Sequence, residues 1–195
     1  MTGFQIAGAG IYLLFYGCYL TKMAAQRKRG IETDQMGKGK TGSAKVIESA
    51  MKAAAYGAAA AEIVSIILDT GRFAPPVRIA GALAGGAGAA VFIASVLTMK
   101  DSWRAGVSRA EKTALVTEGI YRISRNPAFL GFDLVYIGLG VMFFNWALFA
   151  VSFFAAATLH LQIVHVEEPF LAEAFGEEYL EYRSRTCRYL GRRRR

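Results

Sequence analysis

Glu167 and Glu168 stand side by side directly after Trp146–Val164, a run without Asp, Glu, Lys or Arg. Carboxylates at the end of an apolar segment are costly unless they are paired or put to use. One chemistry open to them is metal ligation, since His165 and Glu168 have an i, i+3 spacing. The nearest further ligand, His160, lies five residues before His165 and points elsewhere on a helix, so no metal site is read here. The other chemistry is ion pairing and proton acceptance. The partner in view is Arg125, in the triplet Arg125-Asn126-Pro127 where another apolar run begins. Pro127 suits a first helical position, because its missing N–H would have no intrahelical partner there. An Arg125–glutamate pairing at the edge of two apolar segments is therefore expected.

The elements that must place these residues are apolar spans. The chain has 195 residues, 54% of them hydrophobic, with mean hydropathy +0.30. Those residues are gathered in blocks, the pattern of a multi-pass membrane protein rather than a soluble domain. Gly3–Leu20, Ala50–Leu68, Val77–Met99, Ala128–Phe144 and Trp146–Val164 each approach the length a bilayer requires, giving an all-α membrane protein of about five transmembrane helices. The glycines and alanines of the third span permit close helix packing in lipid. Asn145 alone separates the last two spans, which implies a tight helical hairpin or a tilted or broken fourth span.

The net charge of +8 sits between the apolar blocks and in the terminal Arg192–Arg195 run, where anionic lipid headgroups rather than nucleic acid are the expected partner. Basic residues cluster in 22–45, in 100–125 (Arg109 and Lys112 among them) and in the tail from Arg183, while the opposite side offers Arg72 and Arg78. Five spans bring the three clusters to one face, cytoplasmic by the positive-inside rule, with the N-terminus outside. The chain divides at residue 99 into three N-terminal spans with a basic loop (1–99) and a C-terminal half carrying the unusual residues (100–195). Cys18 and Cys187 indicate neither a disulfide framework nor a metal site. Met36–Lys45 lacks the spacing of a phosphate-binding loop and reads as a flexible linker.

Glu118–Gly131 (EGIYRISRNPAFLG) followed by Val166–Tyr182 (VEEPFLAEAFGEEYLEY), with Ser102–Val107 and Leu115–Tyr121 ahead of them, resembles the integral-membrane methyltransferases that use S-adenosylmethionine. The resemblance covers about residues 100–190. It is to the isoprenylcysteine carboxyl methyltransferases, from which Asn126 (usually His) and Phe129 (usually Tyr) depart, and to the phospholipid N-methyltransferases. It implies a cytoplasmic pocket in the C-terminal half that binds S-adenosylmethionine through Val116, Gly119, Tyr121, Asn126, Pro127, Phe129, Gly131 and Glu168. It implies catalytic roles for Arg125 and Glu167 and a lipidic or amphiphilic acceptor entering from the membrane.

The chemistry fits those residue types. Carboxylates accept from the cofactor's ammonium and ribose, and an apolar slot takes its adenine. Methyl transfer to an existing nucleophile needs mainly in-line placement, worth up to roughly 7–11 kcal/mol. Arg125 can orient a carboxylate acceptor bidentately, and Glu167 can take the proton released by an amine. The acceptor stays open between a prenylated thiol's carboxylate, a phospholipid amine and a smaller thiol. Readings of other classes are a non-enzymatic lipid-binding or scaffold protein and a nicotinamide-dependent reductase. Glu173, Glu177, Glu178 and Glu181 read as the solvated face of an interfacial helix, and Tyr179 and Tyr182 as interfacial anchors. Glu62 and Asp133 fall inside spans, where an acid marks a function or a buried pairing.

Overall fold

The computed structural model describes residues 1–107 and 114–191. Arg109, Lys112 and Arg192–Arg195, counted above toward the basic face, lie outside the described residues. Among the described residues the chain forms six α-helices: α1 (Gly3–Lys28), α2 (Gly42–Leu68), α3 (Pro75–Met99), α4 (Pro127–Met142), α5 (Trp146–Gln162) and α6 (Glu168–Arg185). A π-helical turn, Ile163–Glu167, joins α5 to α6 without a break. Apart from an isolated bridge between Asp34 and Ala105, the regular structure among the described residues is helical.

The chain is a multi-pass integral membrane protein. α1, α2, α3 and the continuous α5–α6 element are each long and apolar enough to cross a membrane. α4 is shorter. Its 16 residues span roughly 24 Å at 1.5 Å per residue, against a hydrocarbon core of about 30 Å. It stops at Met142, earlier than the hydropathy implies, because Asn145 caps α5 by accepting from the Leu148 N–H (2.9 Å). The same Asn145 donates to Ser65 and Thr70, tying the α4–α5 turn to the end of α2.

The hairpin expected from chain order is not the main packing. α4 packs chiefly on α3, and α5 on α2. Glycine is the reason: a Cβ built at Gly138 would strike the Gly85 backbone, and one at Gly88 would come within 2.8 Å of the Gly131 carbonyl oxygen. In lipid, such backbone approach supplies the association that hydrophobic exclusion supplies in water. At the end holding residue 2, the Thr2 hydroxyl donates to Asp69 (2.9 Å), Arg78 pairs with Asp69 (2.5 Å), and the Arg78 guanidinium lies 4.1 Å from the Phe4 ring centroid. This clasp joins α1, the α2–α3 turn and α3.

At the other end, the connections are stitched together. Ala105 donates to the Thr33 carbonyl, Gln35 donates to the Ala105 carbonyl, and the buried Gln26 side chain donates to the Trp103 carbonyl (3.0 Å). Residues 36–45, expected to be a flexible linker, are held. The Gly37 N–H and the Lys40 ammonium both bind the fully buried Glu48 carboxylate, which also accepts from Gln162 on α5 (2.9 Å).

Candidate active site

The stitched connections, the start of α4, the π turn and α6 enclose a cleft with about 920 Å³ of non-atom space, its open mouth included. That falls in the usual range of small-molecule sites. Of the residues expected at the site, Val116, Tyr121, Arg125, Asn126, Phe129 and Glu167 line it. Gly119, Pro127, Gly131 and Glu168 stand behind the lining. Gly119 makes a turn at φ +56° against Thr98, and Pro127 opens α4. Gly131 lies against α3, where a Cβ would reach the Phe92 Cβ at 2.8 Å. Aromatic walls come from Trp103, Phe170 and Phe175.

The expected ion pair is present. An Arg125 terminal nitrogen lies 3.0 Å from Glu168 Oε1, with 4% and 7% of the two side chains exposed. The guanidinium has more partners than the sequence indicates. Its Nε donates to the Thr186 carbonyl (3.1 Å), and its other terminal nitrogen donates to the Tyr179 hydroxyl (2.8 Å). Three directions of the planar fork are thus taken by protein groups. Glu168 also receives a bidentate contact from Arg188, Nε to Oε1 at 2.8 Å and a terminal nitrogen to Oε2 at 3.0 Å.

Glu167 differs from its neighbour. Its Oε2 is buried and has no hydrogen-bond partner among the described residues. Across the cleft, burial and then the Glu167 charge push the Tyr121 phenol above its ordinary range, so it stays a neutral donor at physiological pH. Tyr121 packs with Tyr179 and Tyr182, both buried rather than interfacial. The Tyr182 hydroxyl donates to the Tyr121 carbonyl (2.7 Å). α6 can turn those tyrosines inward because Gly176 takes φ +52° and ψ −129°, a kink that only glycine adopts without strain.

Sequence reasoning missed Arg188, Thr186 and the neighbouring main chain. Their approach to Arg125 spans some sixty positions and leaves no periodic trace; the only signal was the excess of arginine in the tail. Glu62 is buried and accepts from the Tyr16 hydroxyl (2.8 Å), the buried pairing being one of the two readings given above, while its Oε1 has no partner among the described residues. Asp133 Oδ1 is likewise buried without one. Neither acid lines the cleft.

A family model described as phospholipid methyltransferase matches residues 77–178. Protein-S-isoprenylcysteine O-methyltransferases B and A of Arabidopsis thaliana are 35% and 38% identical over 80 and 77 residues, covering 40% and 39% of this chain and the same shares of theirs. The cobalt-zinc-cadmium resistance protein CzcN of Cupriavidus metallidurans is 34% identical over 99 residues, 50% of this chain and 45% of its own. The matched stretches span less than half the length of these curated relatives.

Proposed function

We propose that this chain, which belongs to the phospholipid methyltransferase family, transfers a methyl group from S-adenosylmethionine to a lipidic or amphiphilic acceptor at the membrane edge. The observation that carries the reading is Glu167, which lines an aromatic-walled cleft and whose buried Oε2 has no hydrogen-bond partner among the described residues. A buried acceptor atom left without a donor is costly, and the cofactor brings N–H and O–H donors to meet it. The aromatic walls suit its adenine, so the residues present fit the group. When bound, it would supply a sulfonium methyl group that passes to an in-line nucleophile as the carbon–sulfur bond breaks and the neutral thioether leaves.

The chain's own residues bind, orient and exclude water. Glu167 accepts an N–H or O–H, and Trp103, Phe129 and Phe170 shape the apolar part of the cleft. Val116, Tyr121 and Asn126 complete its wall beside the bound group, over a scaffold turned by Gly119, Pro127 and Gly131. Arg125 lines the cleft, and Glu168 holds its guanidinium plane in place. Catalysis then rests on placement, the largest contribution such a transfer requires.

The activity for which the Arabidopsis relatives are named supports a prenylated cysteine carboxylate as acceptor. A second reading, a phospholipid amine, is favoured by the described partners of Arg125, which already engage three directions of its fork. The basic end of the bundle, which holds the cleft, faces the cytoplasm by the positive-inside rule. Reporter fusions near residues 2 and 191 should fall on opposite sides, and the same side for both would refute this topology.

The test of the activity is a transfer assay with methyl-labelled S-adenosylmethionine, the purified protein and a membrane lipid extract. Label should enter a lipid-soluble product, base-labile if it is a carboxyl methyl ester and base-stable if it is an N-methyl amine. No labelled product from acceptors of either kind would remove the enzyme reading in favour of a lipid-binding protein.

A further inference from the structure

Beyond residue 178, where the family match ends, the described chain folds back on the site. Residues Thr186–Gly191 form a strap tied to the segment before α4. The Arg125 N–H donates to the Cys187 carbonyl (3.0 Å), the Gly191 N–H to the Ile123 carbonyl (2.8 Å), and the Cys187 N–H to the Gly191 carbonyl (3.0 Å). The Asn126 side chain donates to the Arg188 carbonyl (3.0 Å). From the strap, Arg188 reaches Glu168 bidentately, and Tyr189 places its hydroxyl 2.8 Å from His160 Nδ1 on α5.

Glu168 therefore stands between two guanidiniums on different elements, Arg125 at the entry of α4 and Arg188 on the strap. Its Oε1 is shared by both, and its Oε2 receives Arg188. A carboxylate bound by Arg125 alone is free to turn about its terminal torsion, which is broad and soft. Fixing the second oxygen sets its plane, and with it the plane of the fork that faces the cleft. We propose that Arg188 is a positioning residue for the transfer reaction: the strap presents it to Glu168 so that the Arg125–Glu168 pair is preset before substrate arrives. The inference rests on the methyltransferase reading above.

The experiment compares purified wild type with Arg188→Ala, Arg188→Lys, Glu168→Gln, the Arg188→Ala/Glu168→Gln pair and Arg185→Ala, whose side chain is half exposed and pairs with Glu181. It measures kcat, the Kd for S-adenosylmethionine with its stoichiometry, and amide exchange at Arg125, Cys187 and Gly191. Arg188→Ala should lower kcat toward the roughly 100-fold that a misplacement of about 1 Å can cost, with Kd within a few-fold and stoichiometry intact. Lysine should restore little, because it lacks the fork, and the double variant should lose no more than the worse single variant. Exchange at the three amides should quicken in Arg188→Ala and stay unchanged in Arg185→Ala. The inference fails if Arg188→Ala keeps kcat within twofold, if lysine restores it fully, if the two losses add, or if kcat falls only as stoichiometry does. Should the wild type transfer no methyl group, it is the enzyme reading that fails. The exchange result then decides whether Arg188 holds the strap in place, and unchanged exchange rejects it.

Discussion

Glu167 and Glu168, one peptide bond apart, differ in their partners: Glu168 is gripped by Arg125 and Arg188, while Glu167 lines the cleft and its buried Oε2 has no hydrogen-bond partner among the described residues. Helical geometry separates them. Neighbouring residues on a helix diverge by about 100°, and the π turn ending at Glu167 sets the angle at which the pair leaves α5. π turns of this kind concentrate at functional sites. One carboxylate thus builds the scaffold, and the proposed function gives the ligand to the other.

Replacing Arg125 separates anchoring from catalysis. Arg125→Ala leaves Glu168 with Arg188 alone and the Tyr179 hydroxyl without its donor. Turnover should fall by about 100-fold or more, with S-adenosylmethionine affinity changed only a few-fold. Arg125→Lys should recover little, since one ammonium cannot meet Thr186, Tyr179 and Glu168 in three directions. Steady-state kinetics on the three proteins checks this, and full activity in the lysine variant would leave Arg125 a topology anchor only.

The glycine contact between α3 and α4 should be intolerant at one position and permissive two residues on. Gly138→Ala meets the Gly85 backbone, whereas a Cβ at Gly140 meets nothing within 4 Å. Thermal unfolding in detergent should show Gly138→Ala destabilised by about 1–3 kcal/mol. Gly140→Ala should be unchanged or slightly stabilised. Equal midpoints for both variants would contradict the packing.

At the far end, the Arg78 hydrogen bond holds the Asp69 carboxyl below its usual range. A depressed carboxyl stabilises the fold above its unfolded value of about 3.9, and that contribution is lost as pH falls through the lower folded value. Asp69→Asn keeps a residue that tolerates the left-handed backbone here (φ 45°). It should cost about 1 kcal/mol at pH 7, with the gap to wild type closing below about pH 4. A gap independent of pH would show that the charge plays no part.

What the sequence made legible follows from how each feature is encoded. The spans were visible because hydropathy is local, and the Arg125–Glu168 pair because both residues flank span ends. The π turn and the Gly176 kink were not visible, since each depends on how α6 must rotate Tyr179 and Tyr182 onto Tyr121. The preference of α4 for α3 over α5 was written in Gly81, Gly85 and Gly88 against Gly131 and Gly138, but chain adjacency spoke louder than that spacing. The Glu48–Gln162 bond joins residues 114 positions apart. No local pattern announces a contact of that reach.

The measurement closest to the central claim is calorimetric titration of S-adenosylmethionine into the purified protein and its Glu167→Ala and Glu178→Ala variants. Glu178 is exposed on α6 and lines no part of the cleft. Wild type and Glu178→Ala should bind with equal affinity in the micromolar range, and Glu167→Ala should bind at least about tenfold more weakly, the loss expected for a charge-assisted hydrogen bond of about 1.5 kcal/mol or more. No binding by the wild type, or equal affinity for all three proteins, would contradict the assignment of this cleft to the methyl donor.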